Sequence, residues 1–141
     1  MPARLSAHRP SSGLFLLTLL AAGATCGCGE EKTYTAGLVQ GARAAEMQDT
    51  RQKLDQIGAA LDRYGVDHSG YPQAASIQEA EAALAPAYTR TLPRSDGWGR
   101  PLRLSSSSDS FVVSSDGQDA APGTGDDLRR EAGGRVTGPA S

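Results

Sequence analysis

The sequence predicts an α+β domain: one long N-terminal helix packed on a small antiparallel sheet. Three observations carry that expectation. Leu54, Ile57, Leu61 and Tyr64 recur at steps of three, four and three residues, which places them on one stripe of a helix. The runs "PLRL" and "SFVVS" are short, apolar and joined by the polar turn "SSSSD", the pattern of a strand pair. Between them, "SIQEAEAAL" opens with Ser76 and carries Glu79 three residues on, the capping box of a short second helix.

A chain of 141 residues points to one small domain. Aromatic residues make up only 5% of it, so its core must be small and aliphatic. A core of that size often relies on a metal or a disulfide as a staple. The expected segments are a lipoprotein-like signal peptide over 1–27, a tether over 28–37, the folded head over 38–128 and a disordered tail over 129–141.

The first segment is basic, then apolar, then small. "MPARLSAHRPSSG" carries arginines and no acid, "LFLLTLLAAGAT" follows, and "CGCGEEK" closes it. The apolar run is about a dozen residues, whereas a membrane-spanning helix needs roughly 20. This predicts an export signal rather than a permanent span. Its cysteines stand where a bacterial lipobox places the residue that receives the lipid. Cys28, preceded by Gly27, is preferred over Cys26, preceded by the bulkier Thr25. The competing reading is an ordinary signal peptide with two cysteines near the mature end. A bridge between Cys26 and Cys28 across one residue would be strained, and the chain has no other cysteine with which to build a disulfide framework.

The helix is expected from about Leu38 to the "DHSGYP" corner, where Gly70 suits a left-handed cap and Pro72 cannot continue it. Asp55, Asp62 and Arg63 lie off the apolar stripe. Gly58 costs about 1 kcal/mol of helix propensity relative to alanine, which suggests that another element packs closely there. Ile77, Ala80 and Leu84 form the apolar side of the second helix, and Pro86 stops it. Trp98 reads as an anchor that packs its loop against the long helix. "RREAGGRVTGPAS" shows no periodicity and reads as tail.

Three landmarks, taken together, resemble a known family. "LDQIGAALDRYGVDHSGYP" is similar to the helix-to-loop corner of the major, G-type pseudopilins of bacterial type II secretion, with Leu61, Tyr64, Asp67, Gly70, Tyr71 and Pro72 in the matching places. "LPRSDGWGRPL" resembles their tryptophan segment through Leu92, Pro93, Asp96, Trp98, Gly99 and Pro101, with Gly97 where the family has proline. "VVSSDGQDAAPGTGDDL" resembles the family's calcium loop. The resemblance runs from about Lys53 to Leu128 and implies a structural, non-enzymatic role. It also implies a calcium-type loop in which Asp116, Asp126 and Asp127 and the carbonyl of Val113 hold the ion. At the N-terminus the chain departs from that pattern. Thr18 stands where the family carries a glutamate, the apolar run is short, and cysteines close it, so the anchor reads as a lipid.

Calcium takes six to eight oxygen ligands and accepts carboxylates and carbonyls. A loop with Asp116 at one end, Asp126 and Asp127 at the other and glycines between can wrap such an ion. A solvated loop is the plain alternative, and Asp119 is either a ligand or a solvent-facing acid. No zinc site is expected from one mature histidine, His68, and two tethered cysteines. The serines 105–108 read as a hairpin turn rather than a nucleophile, and no phosphate loop follows a strand. The net charge of −2 includes the basic leader, so the body is more acidic still, which argues against nucleic acid.

Two function classes follow. The first is a membrane-anchored, calcium-stabilised, pseudopilin-like lipoprotein with a structural or assembly role linked to type II secretion, in contact with secretion-system proteins. The second is an independent binding lipoprotein that reuses the head to hold a partner or ligand. Gly29 after Cys28 is not the aspartate of inner-membrane retention, which favours the outer membrane.

Overall fold

The computed structural model describes residues 30–139. Helix α1 runs over Glu30–His68, followed by helix α2 over Ile77–Leu84 and strands β1 (Arg103–Ser106), β2 (Phe111–Ser115) and β3 (Leu128–Glu131). The strands form one antiparallel sheet in the order β1-β2-β3, with Leu104 opposite Val113 and Val113 opposite Arg130. The expected α+β arrangement is therefore present.

The core lies between the later half of α1 and one face of the sheet. Leu54, Ile57 and Leu61 are fully buried, as their spacing predicts, and Tyr64 packs half-buried against them. Phe111, Val113 and Ser115 point inward from β2 by strand alternation, and Leu104 and Leu128 join them from its neighbours. Helix α2 closes one side with Ile77, Ala80 and Leu84. The expected cap forms, with one partner shifted: Glu79 donates its N–H to the N-cap Ser76 Oγ at 3.2 Å, and the Glu79 carboxylate reaches one residue further back, to accept the Ala75 N–H at 2.8 Å.

Two boundaries and one cap differ from the sequence reading. Helix α1 begins at Glu30, so residues 30–37, expected as a tether, continue the helix. At about 1.5 Å per residue its 39 residues span about 58 Å. Residues 36–45 are exposed and form a stalk beyond the head.

The helix stops as predicted, but Ser69 rather than Gly70 takes the left-handed conformation, at φ 56°. The Gly70 N–H then reaches back to the Gly65 carbonyl at 3.2 Å, which completes a Schellman cap. Gly70 serves instead to let the corner meet the β1–β2 turn, where an added Cβ would sit 2.9 Å from the Ser108 carbonyl oxygen.

The expected disordered tail is folded. Arg129–Glu131 lie in β3, and Thr137 bridges back to Arg129 through N–H···O bonds of 2.9 and 2.7 Å. The period-2 pattern was hidden because a charged residue holds an inward position: Leu128 and Arg130 are buried, and Arg129 and Glu131 are exposed.

Arg130 explains Gly58. The guanidinium enters between sheet and helix, bonds Asp62 at 2.6 Å, lies 3.5 Å from Asp55 and sits 5.8 Å above the Phe111 ring. A Cβ on residue 58 would fall 2.8 Å from Arg130 Nε. Asp62 also accepts the Gly133 N–H at 3.1 Å and the Tyr71 hydroxyl at 3.3 Å. Burial and the neighbouring Asp62 carboxylate raise the Tyr71 phenol above its ordinary range.

Candidate functional site

The acidic loop runs from the end of β2 to the start of β3, so the sheet brings its two ends together. Gly117 makes the turn at φ 64°, and it lies so close to the far end of the loop that a Cβ there would approach Asp126 Cγ to 2.7 Å.

Each expected ligand has a definite place. Val113 is in the middle of β2, paired with Leu104 on one side and Arg130 on the other, so its backbone belongs to the sheet ladder. Asp116 pairs with Arg103 of β1 at 2.5 Å. Asp126 Oδ2 accepts the N–H groups of Gln118 and Asp119 at 2.7 and 3.0 Å, and its Oδ1 accepts the Thr124 hydroxyl at 2.6 Å. The Thr124 hydroxyl first, then those backbone N–H groups, hold the Asp126 carboxyl below its usual range. Asp127 accepts the Gly123 N–H at 2.7 Å. Asp119 accepts the Ala121 N–H at 2.8 Å, which bends the loop tip into a local turn.

Two arginines complete the arrangement. Arg100 donates from both terminal guanidinium nitrogens, one to the Gly117 carbonyl and the other to the Gln118 carbonyl at 2.6 Å. Arg103 holds Asp116. Sequence reasoning missed both, although "GRPLRL" places them three residues apart, Arg100 in the tryptophan turn and Arg103 at the start of β1, which pairs with β2. The clue was opposite charge on neighbouring strands.

Beneath the loop is a buried carboxylate, Asp96, which the sequence reading named in the tryptophan segment without giving it a role. Asp96 accepts the N–H groups of Trp98 and Arg100 on Oδ1 at 2.9 and 2.8 Å and the Ser115 hydroxyl on Oδ2 at 2.7 Å. Ser115 Oγ in turn accepts the Gly117 N–H at 3.3 Å. One side chain thus fixes the tryptophan turn and links it to the loop. The turn docks on α1 through its backbone: the Gly97 N–H bonds Thr50 Oγ1 at 2.8 Å, and a Cβ on Gly97 would overlap the Glu46 carbonyl. Gly97 is required by that approach. Trp98 itself packs half-buried against the core.

Tested against an ion, the donor set does not fit as arranged. Asp116 already pairs with Arg103, Asp126 with two amides and a hydroxyl, Asp127 with one amide, and Val113 belongs to the sheet ladder. Among the described residues, no three His, Cys, Asp or Glu side chains are grouped so as to hold a metal. His68 is exposed and stacks on Tyr64 at 4.1 Å between ring centroids. Cys26 and Cys28 lie outside the described residues.

The head thus consists of a long helix with a docked tryptophan turn, a short second helix, a three-stranded sheet and an acidic loop between β2 and β3. The model of the family "Type II secretion system (T2SS), protein G" matches residues 37–130, from the stalk of α1 to Arg130. The chain belongs to this pseudopilin family. Comparison with curated proteins gives no match, and comparison with solved structures gives none. The matched stretch takes in α2, the tryptophan turn, the sheet and the loop, so these are features of a pseudopilin head. Among the described residues, no helix is long and apolar enough to cross a membrane.

Proposed function

We propose that this pseudopilin head is an envelope-anchored structural component working with the type II secretion apparatus, not an enzyme. The family match over the head carries this reading. In this proposal a lipid on Cys28, or on Cys26, fixes the chain to the membrane, with the outer membrane preferred. The stalk of α1 then holds the head away from the bilayer, at about 1.5 Å for each helical residue. The exposure of residues 36–45 supports a spacer, because nothing in the head needs them for packing. Secretion-system proteins are the proposed partners.

Mass spectrometry of the mature N-terminus tests the anchor: acylated Cys28 or Cys26 is expected, and an unmodified end on periplasmic protein refutes it. Crosslinking in cells tests the role. Adducts with secretion components are expected, and capture only of an unrelated partner would favour an independent binding lipoprotein.

A rival form of this reading adds calcium stabilisation of the loop. Asp116 and Asp127 line one cavity of about 380 Å³ beside β2, which they share with Arg103 and Arg129. An ion there would draw on Asp116 and Asp127, would need Asp126 and the Val113 carbonyl to turn toward it from outside that lining, and would require Arg103 to leave Asp116.

A further inference from the structure

We infer that in this chain two arginines take the place of the metal, and that the loop closes without calcium. A hard cation would gather carboxylates and carbonyl oxygens at one point. A guanidinium presents up to five N–H donors in a planar fork and can gather the same oxygens. Arg100 spans two successive carbonyls, those of Gly117 and Gln118, as a fork. Arg103 neutralises Asp116, the first acid of the loop.

Both arginines are held in place before they meet the loop. The Arg100 backbone is tied to Asp96 on both sides: its N–H bonds the Asp96 carboxylate at 2.8 Å, and its carbonyl accepts the Asp96 N–H at 2.8 Å. Arg103 lies in β1 opposite Ser114, two residues before Asp116. The strand pairing therefore delivers its charge to that carboxylate, much as a bound ion would be delivered by its cage.

The far end of the loop needs no cation either. Asp126 is satisfied by two backbone N–H groups and a hydroxyl, and Asp127 by one N–H. Carboxylates bound in this way already have partners for their charge. A calcium ion entering the cavity would have to displace Arg103 and would then lie beside a free guanidinium, which is repulsive. The inference concerns the loop alone, so it stands or falls separately from the anchor and the secretion role.

The test uses the full-length protein in detergent, with calcium chloride as the probe. Thermal unfolding in chelator, calcium or magnesium should give one melting temperature, and calorimetric titration with calcium should give no saturable heat. Arg100→Gln and Arg103→Gln should each speed proteolytic cleavage between Gly117 and Asp127 several-fold, with helical circular dichroism unchanged. Asp116→Asn should match Arg103→Gln, and the double variant should be no worse than either, because both remove one interaction. A rise of several degrees with calcium in the wild type, lost in Asp116→Asn, would overturn the inference in favour of the ion. Arginine variants whose loops resist cleavage as well as the wild type would also overturn it.

Discussion

Arg130 is the residue on which the sheet and the long helix are pinned. Its guanidinium is buried while Asp62 keeps some contact with water. Arg130→Ala should therefore destabilise the head by about 2–4 kcal/mol, somewhat less than breaking a fully buried pair. Gly58 supplies a sharper check. In the wild type, Gly58→Ala drives a Cβ into the inner part of the Arg130 side chain, at Cγ and Nε, and should destabilise by about 1–3 kcal/mol. In the Arg130→Ala background the same change meets empty space and should stabilise by up to about 1 kcal/mol through helix propensity. Chemical denaturation of the four proteins reads this reversal of sign, and an unchanged sign would show that Gly58 is not there for Arg130. Tyr71 gives a pH test at the same place. Its phenol is raised in the folded state, so the associated stability is fully present below the ordinary value of about 10 and is lost as pH rises through the folded value. Phenolate absorbance should show Tyr71 titrating late, as Tyr88 does through its hydroxyl bond to Asp67, and Asp62→Asn should bring only the Tyr71 signal earlier.

At the scale of elements, the sequence was legible where period and chemistry agreed. The α1 stripe, the α2 capping box and the β1–β2 pair all follow patterns in which apolar residues mark the inner face. Strand β3 was illegible because Arg130 occupies an inward position, so "LRRE" shows no alternation of hydropathy although its burial alternates. The acidic loop was found, but its arginine partners were not: Arg103 is an ion-pair partner on an adjacent strand, which appears only when the register is known, and Arg100 reaches backbone carbonyls from a turn, which leaves no charge pattern in the sequence. The tryptophan turn was credited to Trp98, yet the backbone of Gly97 makes the closest approach to α1. Gly97→Ala should destabilise by about 2–4 kcal/mol, since the Cβ overlaps the Glu46 carbonyl and the bond to Thr50 is lost. Thr50→Val keeps the shape and removes only the hydroxyl, leaving the Gly97 N–H without its partner, and should cost about 1–3 kcal/mol. Thermal unfolding of both variants checks the order. If Thr50→Val proves the more harmful, the close approach at Gly97 is not what seats the turn.

At the scale of the whole molecule, one continuous helix belongs to two regimes. From Thr50 onward its inner face is buried in a core shared with the sheet and α2. Across residues 36–45 it meets solvent on every side, with Leu38 and Val39 exposed. An unsupported helical segment of that length is marginal in water, because propagation yields little once packing is absent. Hydrogen exchange on the isolated chain should therefore show a gradient along α1. Amides of residues 36–45 should exchange by local fraying, whereas those of Leu54, Ile57 and Leu61 should exchange only when the head opens as a unit. Deleting residues 1–40 should leave the melting temperature of the head within a few degrees, since about 1 kcal/mol shifts a domain of this size by only several degrees. The same deletion should abolish attachment to membranes. Stalk amides as slow as the core's in the isolated chain would mean that α1 is covered along its whole length, and the head would then not be the independent folding unit that its packing implies.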